Sequence, residues 1–214
     1  MMIYSSVEPE MEIRQGDIFT GVPDIEAALD KLPVLEEDDD VVEVAWKDLL
    51  AEGKTDAVTA LVAVRPVDAI VITQDCDAVR SPYLALCEIY DFRQVEGRAK
   101  ETKSPKSWMS IITQQARINQ KWFYLPPDDV VGFDSKMGVD FRRVLRVPRE
   151  QLEAMRSEHR RGRLNELASA HFRERLSEFY RRYPYDEWYP LDSEELDVYQ
   201  KSKPESVEPY PWQK

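Results

Sequence analysis

Apolar and polar residues alternate with a period of two along several short stretches of this chain, the spacing of half-buried strands. In "YLALCEIYDF" the alternation sets Leu84, Leu86 and Glu88 on one face and Ala85, Cys87 and Ile89 on the other. The run before it, "AVTALVAVRPVDAIVITQDCD", is β-branched and almost unbroken, and Pro66 divides it into two expected strands, 57–64 and 67–74. The short "AVRSP" segment then predicts an antiparallel return. Further strands are expected at "KWFYLPP", which two prolines end, and over 138–147. In the latter, Val139, Phe141, Arg143 and Leu145 alternate with Asp140, Arg142, Val144 and Arg146. A Gly16-Asp17 turn leads into a strand starting at Ile18-Phe19.

Helical spacing appears elsewhere. Pro23 and Asp24 are good helix-start residues, Ile25, Ala28, Leu29 and Leu32 share a face, and Pro33 stops the segment, so a short helix is expected there. "EEDDD" (36–40) reads as an exposed loop. Val41 to Val44 favours strand, and Trp46 to Glu52 favours helix ended by Gly53. After the polar "RQVEGRAKETKSPK", Ser104 and Pro105 open a helical pattern carrying Trp108, Ile111 and Ile112. Pro148 begins a helix that Gly162 breaks. A second follows, with Leu164, Leu167, His171, Leu176, Phe179 and Tyr183 as its stripe, and Pro184 ends it. The pattern divides the chain into a strand-rich core (1–147), a C-terminal helical pair (148–183) and an extended acidic and aromatic tail (184–214).

Composition narrows the function. The net charge of −12 and pI near 4.8 oppose general nucleic-acid binding, which needs a basic surface. The charge is uneven, however. From Arg142 to Arg182 there are twelve arginines and six glutamates and no lysine or aspartate, leaving that segment at +6 and the rest at −18. Arg142, Arg143, Arg156, Arg160, Arg161 and Arg163 are therefore the expected binding residues for a protein partner or a nucleic acid. The competing reading pairs them with the protein's own carboxylates. No stretch is apolar enough to span a membrane and no leader pattern opens the chain. With two cysteines, a reducing cytoplasmic location is expected.

The segment "TQDCDAVRSP" raises the question of chemistry. Cys76 lies between Asp75 and Asp77, whose charges disfavour a thiolate. A capped turn is the expected role, with a nucleophilic or redox-sensing Cys76 as the weaker alternative. The spacing of Cys76, Cys87, His159 and His171 matches no compact metal site, and no phosphate-cradling or hydrolase motif is present, so neither metal nor cofactor is expected. His171 is expected as a partly buried packing residue.

Two resemblances add to this reading. "RQGDIF" with "VRPVDAIVITQDCD" resembles the opening of PemK/MazF-like small β-barrels. That resemblance implies an endoribonuclease site in which Arg65 takes the role of the arginine before the strand; the ribonuclease alternative combines it with Asp75 or Asp77 and with Arg142 or Arg143. The Ser or Thr that the family carries on a later strand is absent from "YLALCEIYDF". "IVITQDCDAVRSP", "KWFYLPP", "MGVDFRRVLRVP" and "LASAHFRERLSEFYRRY" together resemble a group of bacterial proteins from conflict and phage-defence loci. That resemblance implies an accessory component. The fold expected is α+β: a partly open, SH3-like or PemK-like antiparallel β-barrel with short helical insertions and two C-terminal helices. The function expected is a non-enzymatic adaptor that binds a protein partner, with a ribonuclease using Arg65 as the alternative.

Overall fold

The structure, a computed structural model, describes residues 3–36, 40–51, 53, 56–92 and 121–181. The helix expected after Ser104 and the tail from 184 lie outside these residues. The described chain is α+β. Its nine strands are β1 (Tyr4–Ser5), β2 (Asp17–Glu26), β3 (Leu32–Leu35), β4 (Val41–Val44), β5 (Ala63–Val71), β6 (Tyr83–Asp91), β7 (Trp122–Leu125), β8 (Met137–Pro148) and β9 (Arg160–Leu164). Its four helices are α1 (Trp46–Ala51), α2 (Asp75–Ala78), α3 (Arg149–His159) and α4 (Glu166–Tyr180). None of these helices is long and apolar enough to cross a membrane.

Seven strands form one antiparallel sheet in the order β1-β9-β2-β5-β6-β8-β7, while β3 and β4 form a separate two-stranded sheet. The large sheet is not closed by hydrogen bonds. Its edges nevertheless approach one another, because the Tyr4 hydroxyl donates to the Pro126 carbonyl at 2.8 Å and the Tyr4 ring meets Phe133 edge-on.

Both faces of the central part of the sheet are buried. Ile18, Ile70, Cys87, Ile89, Val139 and Phe141 face α4, whose Phe172 stacks edge-on against Phe123 with centroids 5.0 Å apart. Phe19, Val22, Val67, Ala69, Leu84 and Leu86 face the other way, toward Leu152 of α3 and Ala78 of α2. The alternation expected in β6 is therefore the one that the core uses. Gly16 holds a φ of +90°, the left-handed region that suits glycine. Its N–H donates to Val71 and its carbonyl accepts from Leu164, which locks the turn before β2.

Several sequence expectations are corrected. Residues 24–26 are not a helix: β2 runs to Glu26, and Ile25 and Leu29 are exposed. Leu32, placed on that helix, opens β3. Pro66 does not divide the strand, because Pro23 and Pro66 are register partners in the extended β2–β5 ribbon. There β9 and β6 no longer flank the pair, so each missing N–H faces an open edge and removes no ladder bond. Residues 57–62 lie outside β5 and meet β3 through the single bridge Val34–Ala60. The second C-terminal helix starts at Glu166, and Leu164 belongs to β9. That strand stands between the two expected helices, and α3 and α4 cover opposite faces of the sheet. The face of α4 is also rotated from the expected stripe. Leu167 is 67% exposed, whereas Ala168, Phe172 and Leu176 are buried. His171 is exposed, with its ring 5.5 Å from Phe123.

Candidate functional site

The face that carries Leu84 and Leu86 under α3 continues past the helix into a cluster of charge. Along β6 the next residues on that face are Glu88 and Tyr90. Across the sheet, Arg65 of β5 and Asp24 of β2 are register partners on the same side. The remaining member, Arg143, arrives through a bulge. Cys87 pairs with Val144 and Ile89 with Val139, so residues 140–143 of β8 all stand opposite Glu88. A bulge of this kind re-aims side chains that a regular strand would have sent elsewhere.

Glu88 is the centre of the cluster, only 2% exposed. Its carboxylate accepts from Arg65 at 2.7 and 3.1 Å, from Arg143 at 3.1 Å and from the Tyr90 hydroxyl at 2.5 Å. Arg65 also bonds Asp24 at 2.6 Å, and Glu26 lies 3.7 Å from it. Burial pushes the Glu88 carboxyl up. The hydrogen bonds from Arg65, Tyr90 and Arg143, with the Arg65 charge, outweigh that and hold it below its ordinary value. The same bond to Glu88 raises Arg65 and Arg143. Burial, then the bond to Glu88, raises the Tyr90 hydroxyl. The Arg143 guanidinium rests over the Tyr90 ring, 5.5 Å from its centroid.

Beside this lies a second pairing. Arg142 forks onto buried Asp140 at 2.9 and 2.7 Å and sits over the Trp122 ring at 5.3 Å. Trp122 in turn meets Tyr90 edge-on. Arginines 65, 142 and 143 thus share one region, each about half exposed, and each is matched by carboxylates.

The other expected residues lie elsewhere. Asp75, Cys76 and Asp77 follow the opposite end of β5 from Arg65, and the six residue steps from Arg65 to Val71 alone span about 20 Å. Asp75 begins α2 and accepts the N–H of Gln15 at 2.9 Å, while the buried Gln15 amide donates to the Ile72 carbonyl at 2.7 Å. The "QDCD" segment is therefore a turn tied to the loop before β2, and not a self-contained cap. Cys76 is exposed, and neither flanking aspartate pairs with an arginine among the described residues.

Of the six arginines expected to bind, Arg160 and Arg163 turn inward onto Asp17, which is fully buried. The Arg160 guanidinium also donates to the carbonyls of Glu8, Pro9 and Met11, fastening the N-terminal loop. Arg156 reaches Glu10 at 3.4 Å, and Arg161 is exposed. Most of the basic segment serves the fold, and β9 shows why its alternation was invisible: charge pairing takes the place of apolar burial there. Among the described residues no group of three or more His, Cys, Asp or Glu is placed to hold a metal ion.

The feature that sequence reasoning missed is apolar. On the β2–β5 ribbon, Ile25 and Val64 are register partners on the face opposite Asp24 and Arg65, and they are 64% and 58% exposed. Leu61 and Val62, just before β5, are exposed too. The spacing around Ile25 fits a helix face, which hides its pairing with Val64. No protein-family model matches the chain, and no curated protein matches it.

Proposed function

We infer that this chain is a non-enzymatic binding component that docks on a protein partner through the exposed apolar side of its β2–β5 ribbon. The observation that carries this is the Ile25–Val64 pair. Two large β-branched side chains that are register partners across a ladder, each more than half exposed, are the start of an interface core. Behind the ribbon, Arg65 ties β2 to β6 through Asp24 and Glu88, which braces this surface for binding. The resemblance to accessory proteins of bacterial conflict loci agrees with a place in a cytoplasmic multi-protein system. The approach of Tyr4 to Pro126 supports viewing the curled sheet as a partly open barrel of the SH3-like or PemK-like kind.

The test is affinity recovery of tagged protein from its native host with and without Ile25→Asp and Val64→Asp. The reading expects a stoichiometric protein partner that both substitutions release, with the circular dichroism spectrum unchanged. An unaltered set of bound proteins in the double variant defeats it.

One observation favours a second reading. Arg65 does meet Arg143, together with a tyrosine and a carboxylate, which is a set that could serve phosphodiester cleavage. Against it, Glu88 is buried and already accepts from three side chains, and a phosphate would have to displace carboxylates from both arginines. Incubation of purified protein with total RNA separates the readings: cleavage lost on Arg65→Ala supports the ribonuclease, and intact RNA removes it.

A further inference from the structure

The small sheet of β3 and β4 has one backbone edge that nothing covers among the described residues. On β3 the far edge is occupied, since the Leu35 N–H donates to Thr59 and the Leu61 N–H donates to the Pro33 carbonyl. The β4 side differs. The Glu36 N–H donates to the Asp40 carbonyl at 2.9 Å, which fixes the phase of the ladder. By the alternation of an antiparallel pair, Val42 and Val44 then turn their backbone groups toward β3, and Val41 and Glu43 turn theirs outward. The side chains of Val41 and Val42 are exposed on opposite faces of this edge.

Proteins commonly blunt such an edge with lysine, proline or a bulge. Among the described residues, the protection here is the shortness of β4 and negative charge. Between Leu32 and Trp46 there are six carboxylates (Glu36, Glu37, Asp38, Asp39, Asp40 and Glu43) and no lysine or arginine. Like charge discourages a second copy of this acidic chain from pairing there, and the same charge attracts a basic strand.

The geometry points to β4 as a strand-addition site for an extended, basic segment of a partner protein, one that alternates Lys or Arg with β-branched residues. Main-chain bonds to Val41 and Glu43 supply the attachment, and the carboxylates of Glu36, Asp40 and Glu43 select the charge. This deepens the binding reading above, on which it rests, by naming the chemistry of the partner segment and a second contact for it.

The test uses the full chain and a fluorescein-labelled peptide of alternating lysine and valine, about nine residues long, with a glutamate–valine peptide as control. Saturable anisotropy binding of the lysine peptide is expected, weakening as salt is raised. Val41→Pro removes an outward N–H without touching the β3–β4 ladder and should weaken binding about tenfold. Glu43→Lys should weaken the lysine peptide and begin to admit the glutamate peptide. Hydrogen exchange should show the Val41 and Glu43 amides protected by the lysine peptide alone. Equal binding to Val41→Pro, a preference for the glutamate peptide, no saturable binding, or a dimer of the chain that Val41→Pro dissolves would each overturn the proposal. Its failure is distinguishable from that of the broader reading. If the peptide fails while Ile25→Asp with Val64→Asp still releases a cellular partner, only strand addition falls.

Discussion

Arg65 and Glu88 meet through a two-bonded fork, one guanidinium nitrogen at 2.7 Å from one carboxylate oxygen and the other at 3.1 Å from the second. They come from β5 and β6, beyond the edge of the apolar core, and the carboxylate is buried while 44% of the arginine side chain remains exposed. The pair converts a place where the sheet would otherwise end in open apolar surface into a rigid, charge-balanced platform.

Removing one half of that fork should be costly in one direction. Arg65→Ala leaves the buried Glu88 carboxylate short of donors and is expected to destabilise the fold by about 1–3 kcal/mol. That lies below the range for a fully buried pair because the guanidinium is half solvated. Chemical denaturation with an unchanged slope measures it. A variant as stable as the parent would show that Arg143 and Tyr90 suffice.

The same network sets a pH dependence. The folded protein holds the Glu88 carboxyl below its ordinary value of 4.5, so ionised Glu88 adds stability that is fully present above that pH. The contribution is lost as pH falls through the lowered folded value. Comparison with Glu88→Gln, which cannot ionise at this position, reports it. The stability gap should be level from neutrality to about pH 5 and narrow below 4.5; a gap that widens on acidification contradicts the assignment.

Asp17 carries a heavier share. It is fully buried and accepts from the Arg14 N–H and from the side chains of Arg160 and Arg163. Asp17→Asn leaves the buried Arg160 side chain without a countercharge and should cost about 3–5 kcal/mol. Proteolysis should then release the N-terminal loop, which Arg160 fastens, before the sheet itself is cut. Parent-like stability would mean that the loop carbonyls alone hold the arginine.

The two thiols should separate cleanly. Cys76 is exposed, whereas Cys87 is buried between β5 and β8 and its thiol is pushed up to about 12, by burial first and then by Asp140. Iodoacetamide at pH 8 should modify Cys76 in the native protein and reach Cys87 only in denaturant, with peptide mapping as the readout. Labelling of both thiols without denaturant would place Cys87 outside the core.

The sequence was most readable where each strand buries one clean face. β6, β7 and β8 stand within a residue or two of their expected positions, and the two faces of β6 were assigned correctly. Reading failed where other forces replaced apolar alternation. The Pro23–Pro66 pairing sits in strands because both nitrogens face open edges, a fact of topology that no local pattern contains. β9 is an arginine-rich strand whose inward side chains answer Asp17, far away in the chain. For the charged cluster, Arg65, Arg142 and Arg143 were legible as candidates. Their partners were not, because Glu88 looked like one more position on an alternating strand and the bulge that delivers Arg143 leaves no compositional trace.

The placement of β9 has a consequence for how the protein is made. It lies between β1 and β2, pairing Tyr4 with Leu164 and Asp17 with Arg163. While the chain is on the ribosome, β2 can find β5 early, but its other edge stays bare and Asp17 lacks its countercharges until β9 has emerged. The first strand of the sheet is thus among the last to be seated. The N-terminal half made by itself would expose both a naked edge and a buried acid. Completion of this sheet waits on the arrival of five residues, Arg160–Leu164, far along the chain from the strands they join.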